Sequence, residues 1–325
     1  MTALLQRQVA VGTKSLLSPS QVARALSFYR GKRDLYPPDV VSKIQHAVKS
    51  PETGVADAAM VEGVARFQEV SVLKVDGMAG PRTLPRLFES GLATEADRKK
   101  FVKSGKGVAA SWTTLGTAKA RADKLFEGVK ALLDDEKVPT PAHGLGDLPK
   151  AAGVFEGRLW KITFDQAALS PASIDDDDAR DVASTIYHEA RHAEQHHKMA
   201  RMLATKGHNA QQIRAMMKIP LDVAENAVNN KLPRGIEFTT AAQQFDSVYG
   251  SGKAHFEKAE AEAPTAGELK AAEAAVTADP SPTNKAKLAL LVAAFKAYHD
   301  LPTENDAFAT ATDFEASWDE ATAGP

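Results

Sequence analysis

The stretch "DDDDARDVASTIYHEARHAEQHHKMARMLATKG", Asp175 to Gly207, contains no proline, and no glycine before its last residue. It reads as one long helix. Asp175 to Asp178 crowd the first turn, where the positive end of the helix dipole favours acids, and Gly207 supplies a stop. Val182, Ile186, Ala190, Ala193 and Met202 form an apolar stripe at helical spacing, so the helix must pack against the rest of the chain. A protein built round such an element is expected to be mainly α. The aspartate run lacks the alternating ligand spacing and the glycine of a calcium loop, and helix-start chemistry accounts for it.

Within this helix lies "HEARH". His188 and His192 are one turn apart, about 6 Å along the axis at roughly 1.5 Å per residue, and share a face. Both imidazoles can therefore reach one zinc ion. Glu189 projects from a neighbouring face, where its carboxylate can take a proton from an attacking water and pass it to a leaving amine. The pattern points to Zn2+-dependent peptide hydrolysis, with His188 and His192 as metal ligands and Glu189 as catalytic base. The competing reading is a histidine-rich surface helix without a metal. His196 continues the same face, but about 12 Å separates it from His188, too far for bonds of roughly 2 Å to one ion. His196 and His197 are expected to be solvated or to support the ligands from behind.

The chain has 325 residues, enough for two domains. A net charge of −2 gives no lead toward nucleic acid or an anionic membrane. No run is long enough to span a bilayer. Cysteine is absent, which excludes disulfides, thiol nucleophiles and thiolate metal sites. In "MTALLQRQVAVGTK", Gln6, Arg7 and Gln8 interrupt the only apolar stretch, so no cleaved signal peptide is expected and export requires another route.

Residues 1–34 read as an N-terminal extension and residues 35–92 as a small helical domain. Val40, Val41, Ile44 and Val48 mark its first helix, and "AAMVEGVARFQ" its second. Asp76-Gly77 then makes a tight turn, Gly80-Pro81 leads into a third helix bearing Leu84 and Leu87, and Gly91 can end it. The "RFQ" containing Phe67 and Gln68, followed by Asp76, Gly77, Gly80, Pro81 and Thr83 of "VDGMAGPRT", resembles the three-helix peptidoglycan-binding domain of cell-wall enzymes. That resemblance implies peptidoglycan as a partner.

Residues 93–137 are expected to be a helical linker, with a helix over Ala118 to Leu133. The Pro/Gly-rich "VPTPAHGLGDLPKAAG" breaks regularity and opens the second domain, 138–325. "VFEGRLWKITFD" is the best strand candidate, turning at Glu156-Gly157, and "RLWKITFD" is read as an edge strand that could align a substrate backbone. Beyond Ala179 the pattern is almost wholly helical. "HFEKAEAEAPTAGELKAAEAAVTADPSP" reads as a surface helical hairpin, and the acidic stretch from Thr303 onward as a solvated helix face.

A third metal ligand must come from elsewhere. The metzincin pattern needs Gly at 195 and His at 198, where this chain has Gln195 and Lys198, so that class is excluded. In "DLPTENDAFA", the pattern Glu304-x-x-Ala-Phe-Ala resembles the glutamate-bearing helix of gluzincin-type peptidases. The resemblance implies Glu304 as third ligand, with Glu225 as the alternative. Asp306 is a candidate to orient a ligand histidine, and Tyr298 or His299 a candidate donor to the oxyanion of the tetrahedral intermediate. The plainer reading is that Thr303 and Asp306 form a capping box round an acidic first turn.

The fold expected is thus mainly α: a three-helix N-terminal module plus an α-rich, zincin-like α+β domain with a small sheet. The function expected is a zinc metallopeptidase cleaving peptide bonds in the bacterial envelope. It would be a secreted effector or a lysin acting in the periplasm or wall, with a secretion apparatus and an immunity protein as further candidate partners. The alternative is a non-catalytic peptidoglycan-binding protein with an incidental or structural metal.

Overall fold

The computed structural model describes residues 15–148 and 152–323; the amino-terminal segment weighed above as a signal peptide lies outside them. The chain is mainly helical with a three-stranded sheet and divides into two compact units.

The first unit comprises residues up to Glu89 together with Leu232–Gln244. Helix α1 (Pro19–Gly31) opens on a capping box, in which Ser18 accepts from the Gln21 N–H and Gln21 accepts from the Ser18 N–H. Helix α2 (Pro38–Ala47) starts on a proline, and α3 (Ala58–Val70) is capped by Asp57, which accepts from the Met60 N–H at 2.8 Å. Helix α4 (Thr83–Leu87) is short. Val40, Val41 and Ile44 share one buried core with Met60, Val61, Val64 and Leu84.

The N-terminal extension, expected to lie outside this module, is part of its core. Ala25 and Tyr29 of α1 are buried, and the Tyr29 and Tyr36 rings pack edge to face 5.0 Å apart. The segment 232–244 joins them: Thr239 donates to the Leu35 carbonyl at 2.6 Å, and Gln243 donates to the Tyr36 hydroxyl. Neither contribution has a local sequence signature, because both depend on contacts distant in the chain.

The second unit holds Ser90–Lys231 and Phe245–Pro325. In chain order its elements are α5 (Glu95–Ala110), α6 (Trp112–Leu115), α7 (Ala118–Asp135), β1 (Ala142–Gly146), β2 (Gly153–Glu156), β3 (Lys161–Asp165), α8 (Gln166–Leu169) and α9 (Asp176–Thr205). Then follow α10 (Ala210–Met217), α11 (Leu221–Asn229), the end of α12 (Ile236–Val248), α13 (Lys253–Glu262), α14 (Ala266–Ala278), α15 (Pro282–His299) and α16 (Pro302–Ala323). The long central helix is α9, capped by Asp175, which accepts from the Asp178 N–H at 2.8 Å.

Residues 93–137, expected to be a linker, are built into this unit. Phe101 of α5 stacks on Tyr187 of α9 at 5.2 Å, and both meet Phe314 of α16. Buried Arg121 of α7 donates to the carbonyls of Trp112, Leu169 and Pro171.

The sheet order is β1-β3-β2, with β1 parallel and β2 antiparallel to β3. "RLWKITFD" therefore supplies the central strand and not the edge. The Gly-rich β1 pairs on its far side, and the His143 ring stacks on Phe126 of α7 at 4.0 Å. Main-chain pairing and this contact override the low strand propensity of "AHGLG". The edge strand next to α9 is β2.

Candidate functional site

Helix α9 carries His188 and His192 on one face, and α16 brings Glu304 up to them. Pro302 opens α16, whose first bond runs from the Asn305 N–H to the Leu301 carbonyl. Thr303 thus lies inside the helix, its hydroxyl unpartnered, and does not cap it. Among the described residues, His188, His192 and Glu304 offer ligand atoms that all fall within 4.8 Å of one another. Nε2 of His188 is 3.0 Å from Nε2 of His192, and Glu304 Oε2 is 3.6 and 3.3 Å from the two nitrogens. Tetrahedral zinc with bonds of roughly 2.0–2.1 Å spaces its ligand atoms about 3.3 Å apart. The donor set fits the ion. Glu225 is exposed on α11, outside this group.

Two imidazole lone pairs and a carboxylate at such range demand a positive charge between them. Burial disfavours charge on His192, yet the Glu304 carboxylate outweighs it and raises the imidazole to about 9. Burial likewise pushes Glu304 up, but the two histidines hold it well below the ordinary carboxylate range.

Behind the three side chains runs a buried polar network, of which Asp306 was expected from the sequence and Gln195, Arg191 and Glu194 were not. His192 Nδ1 donates to Gln195 Oε1 at 3.0 Å, which leaves Nε2 free to ligate. Gln195 Nε2 donates to the Thr303 carbonyl at 3.0 Å and to Asp306 Oδ2 at 2.7 Å. Asp306 is fixed in turn by Arg191, and Arg191 also pairs with Glu194 at 2.7 Å. Asp306 thus reaches His192 through Gln195, and it does not cap its own helix. One amide ties His192 to the backbone beside Glu304. Its three-residue offset from His192, which places it on the adjacent helical row, is the one local signal for this role. Gln195→Leu is expected to fold and to weaken zinc binding about 10- to 100-fold, as read by competition with a chromophoric chelator.

His196 and His197 do not ligate. His196 donates to the His192 carbonyl at 2.9 Å, and burial lowers it to about 4. His197, expected to be solvated or supporting, is fully buried and bonds Asn226 at 3.0 Å. Burial and then Arg201 lower it to about 3. An unfolded histidine takes a proton near pH 6.5, whereas the folded His197 resists until about 3. Stability is therefore lost as pH falls through that window, at up to about 1.4 kcal/mol per pH unit. His197→Gln should flatten that slope in calorimetric melts.

Glu189 has its own anchor. The Phe155 N–H, on the open edge of β2, donates to Glu189 Oε2 at 2.7 Å. Gly153 permits the approach, since a Cβ there would meet Thr185 at 2.9 Å and Glu189 Cγ at 3.1 Å. Cavities of about 690 and 550 Å³ flank the group; the first is bounded by His188 and Phe308, the second by His192 and Glu304. Gly153, Glu189, Glu260 and Tyr298 line both. Glu189 thus lies where the two cavities meet, on the floor of the cleft with the three clustered side chains.

Tyr298 donates to Glu304 Oε2 at 2.8 Å, so its hydroxyl is already engaged. His299 stacks on Phe308 at 4.6 Å and lines neither cavity, so it is not placed to meet an oxyanion. Glu260 comes from α13, within the stretch expected to be only a surface hairpin. Of that stretch α14 is largely exposed, but it packs on α15, which lies beyond the stretch, and α13 lines the cleft.

In the first unit the turn motif is an internal staple. Gln68 Oε1 accepts from the N–H groups of Asp76 and Gly77, each at 2.9 Å. Its Nε2 donates to Asp76, the Met78 carbonyl and Thr83 at 3.0–3.1 Å. Gly77 has φ +70°, and a Cβ there would meet Val61 at 2.7 Å. Tyr29 donates to the Gly77 carbonyl at 3.1 Å and accepts from the Ala79 N–H at 2.8 Å. Phe67 and Thr83 are buried, and Gly80 and Pro81 lead into α4.

Residues 40–87 match the family described as "Putative peptidoglycan binding domain". This peptidoglycan-binding domain associates the chain with the cell wall. No curated protein and no solved structure matches the chain. Gln68, Asp76, Gly77 and Thr83 thus serve the domain by fixing its turn, and Phe67 is buried within it. Gln68→Ala strands two N–H groups and is expected to destabilise the unit by about 3 kcal/mol, measurable by thermal denaturation.

Proposed function

We propose that the second unit is a zinc-dependent, zincin-like metallopeptidase that the peptidoglycan-binding domain directs to peptide bonds of the bacterial envelope. The observation that carries this reading is the convergence of His188, His192 and Glu304 beside an anchored Glu189, all at the floor of an open cleft. The donor set suits zinc, which when bound supplies a Lewis acid that polarises a carbonyl and acidifies water. Glu189 takes the proton of the attacking water and returns it to the leaving amine. Gln195 holds His192 in the ligating tautomer, and Tyr298 steadies Glu304. Apart from the Phe155 N–H, which holds Glu189, the edge of β2 offers main-chain groups against which an extended peptide can pair.

A purely structural metal needs no proton acceptor and no cleft, and those two features favour the enzyme. Among the described residues no helix is long and apolar enough to cross a membrane. An envelope hydrolase carrying a wall-binding domain suits an antibacterial effector or a lysin. The test is metal content together with release of peptides from purified sacculi. Zinc-replete protein that releases nothing from sacculi or from isolated envelope proteins refutes the reading.

A further inference from the structure

The first unit carries a groove of about 610 Å³ with an unusual lining. Leu26, Val41 and the rings of Tyr29 and Tyr36 line it, with Val55, 67% exposed, at its side. Both tyrosine hydroxyls are spent on the Gly77–Ala79 backbone and both rings are buried, so the accessible apolar lining is Leu26 and Val55 over a floor of buried rings. Its charged lining residues are Arg30 and Arg33, both exposed and neither in an ion pair among the described residues. It is lined by no acid, amide side chain, serine or threonine. Both arginines and both tyrosines precede residue 40, where the family match begins.

We propose that this groove binds the peptide stem of peptidoglycan, the small apolar side chains lying on Leu26 and Val55 and the stem carboxylates on Arg30 and Arg33. The glycan strand presents hydroxyls and acetamides, which call for the acceptors and amides this lining lacks. The stem presents methyl groups and carboxylates, which match it. The inference rests on the peptidoglycan-binding match and is independent of the metal centre.

The test is co-sedimentation at physiological salt of the full chain carrying Glu189→Gln, so that hydrolysis does not consume the ligand. The probes are intact sacculi, sacculi stripped of stems by an amidase, and sacculi stripped of covalently attached anionic polymers. The double substitution Arg30→Glu/Arg33→Glu is expected to weaken binding to intact sacculi by about tenfold or more. Val55→Asp should weaken it independently. Arg24→Glu, on the same exposed helix but outside the groove, should bind as the parent does. Stem removal should abolish the arginine-dependent binding, and polymer removal should spare it. A folded double variant that binds normally, or arginine-dependent binding that survives stem removal or vanishes with the polymers, overturns the proposal. Failure of the parent to bind any sacculus would instead remove the peptidoglycan reading on which it rests.

Discussion

Glu189→Gln protein is expected to take up zinc like the wild type and to hydrolyse peptides about a hundred- to ten-thousandfold more slowly. The substitution is nearly isosteric, and its carbonyl oxygen can still accept from the Phe155 N–H that anchors Glu189 at 2.7 Å. Geometry at the cleft floor is therefore kept, and what disappears is the capacity to take a proton. Metal content by elemental analysis and stem-peptide release by chromatography separate the two properties. Equal rates in the two proteins would remove Glu189 from the chemistry. Loss of zinc would assign it a structural part.

Glu304→Gln is expected to lower zinc affinity by on the order of a thousandfold, whereas Glu225→Gln leaves it unchanged. Structural zinc sites bind with about 10–16 kcal/mol in total, so one ligand among a few accounts for roughly three powers of ten. The charge matters beyond the coordination bond. In the metal-free protein Glu304 is what raises His192 to about 9 against the opposing effect of burial. With the carboxylate replaced by an amide, NMR titration of His192 should show its pKa falling. An unchanged affinity would mean that the metal, if any, sits elsewhere.

Much of the site was legible because its residues obey short-range rules. Asp175 and Gly207 bracket α9, the four-residue offset of His188 and His192 needs only helical geometry, and Pro302 places Glu304 at a helix start. The supporting groups were harder to see. From sequence Asp306 reads equally as a cap or as a support for a ligand histidine, and only burial beside Arg191 and Gln195 gives its carboxylate the partners that decide between them. His197 looks like a surface histidine until α11 supplies Asn226. In β1, glycines conceal a strand whose pairing is dictated by a partner nineteen positions on. The roles of Tyr29 and Gln243 in the first unit likewise come from chain far away in sequence, where local pattern carries no information.

The return of residues 232–244 to the first unit has a mechanical consequence. The polypeptide passes between the two units at Glu89–Ser90, again near Lys231 and once more within α12. A single proteolytic cut at the first crossing severs residues up to Glu89 from the rest of the chain, and they then stay attached only through non-covalent packing on residues 232–244, which remain in covalent continuity with the second unit. A fragment ending at Glu89 loses the partners of Leu35 and Tyr36, and the anchor is no longer whole.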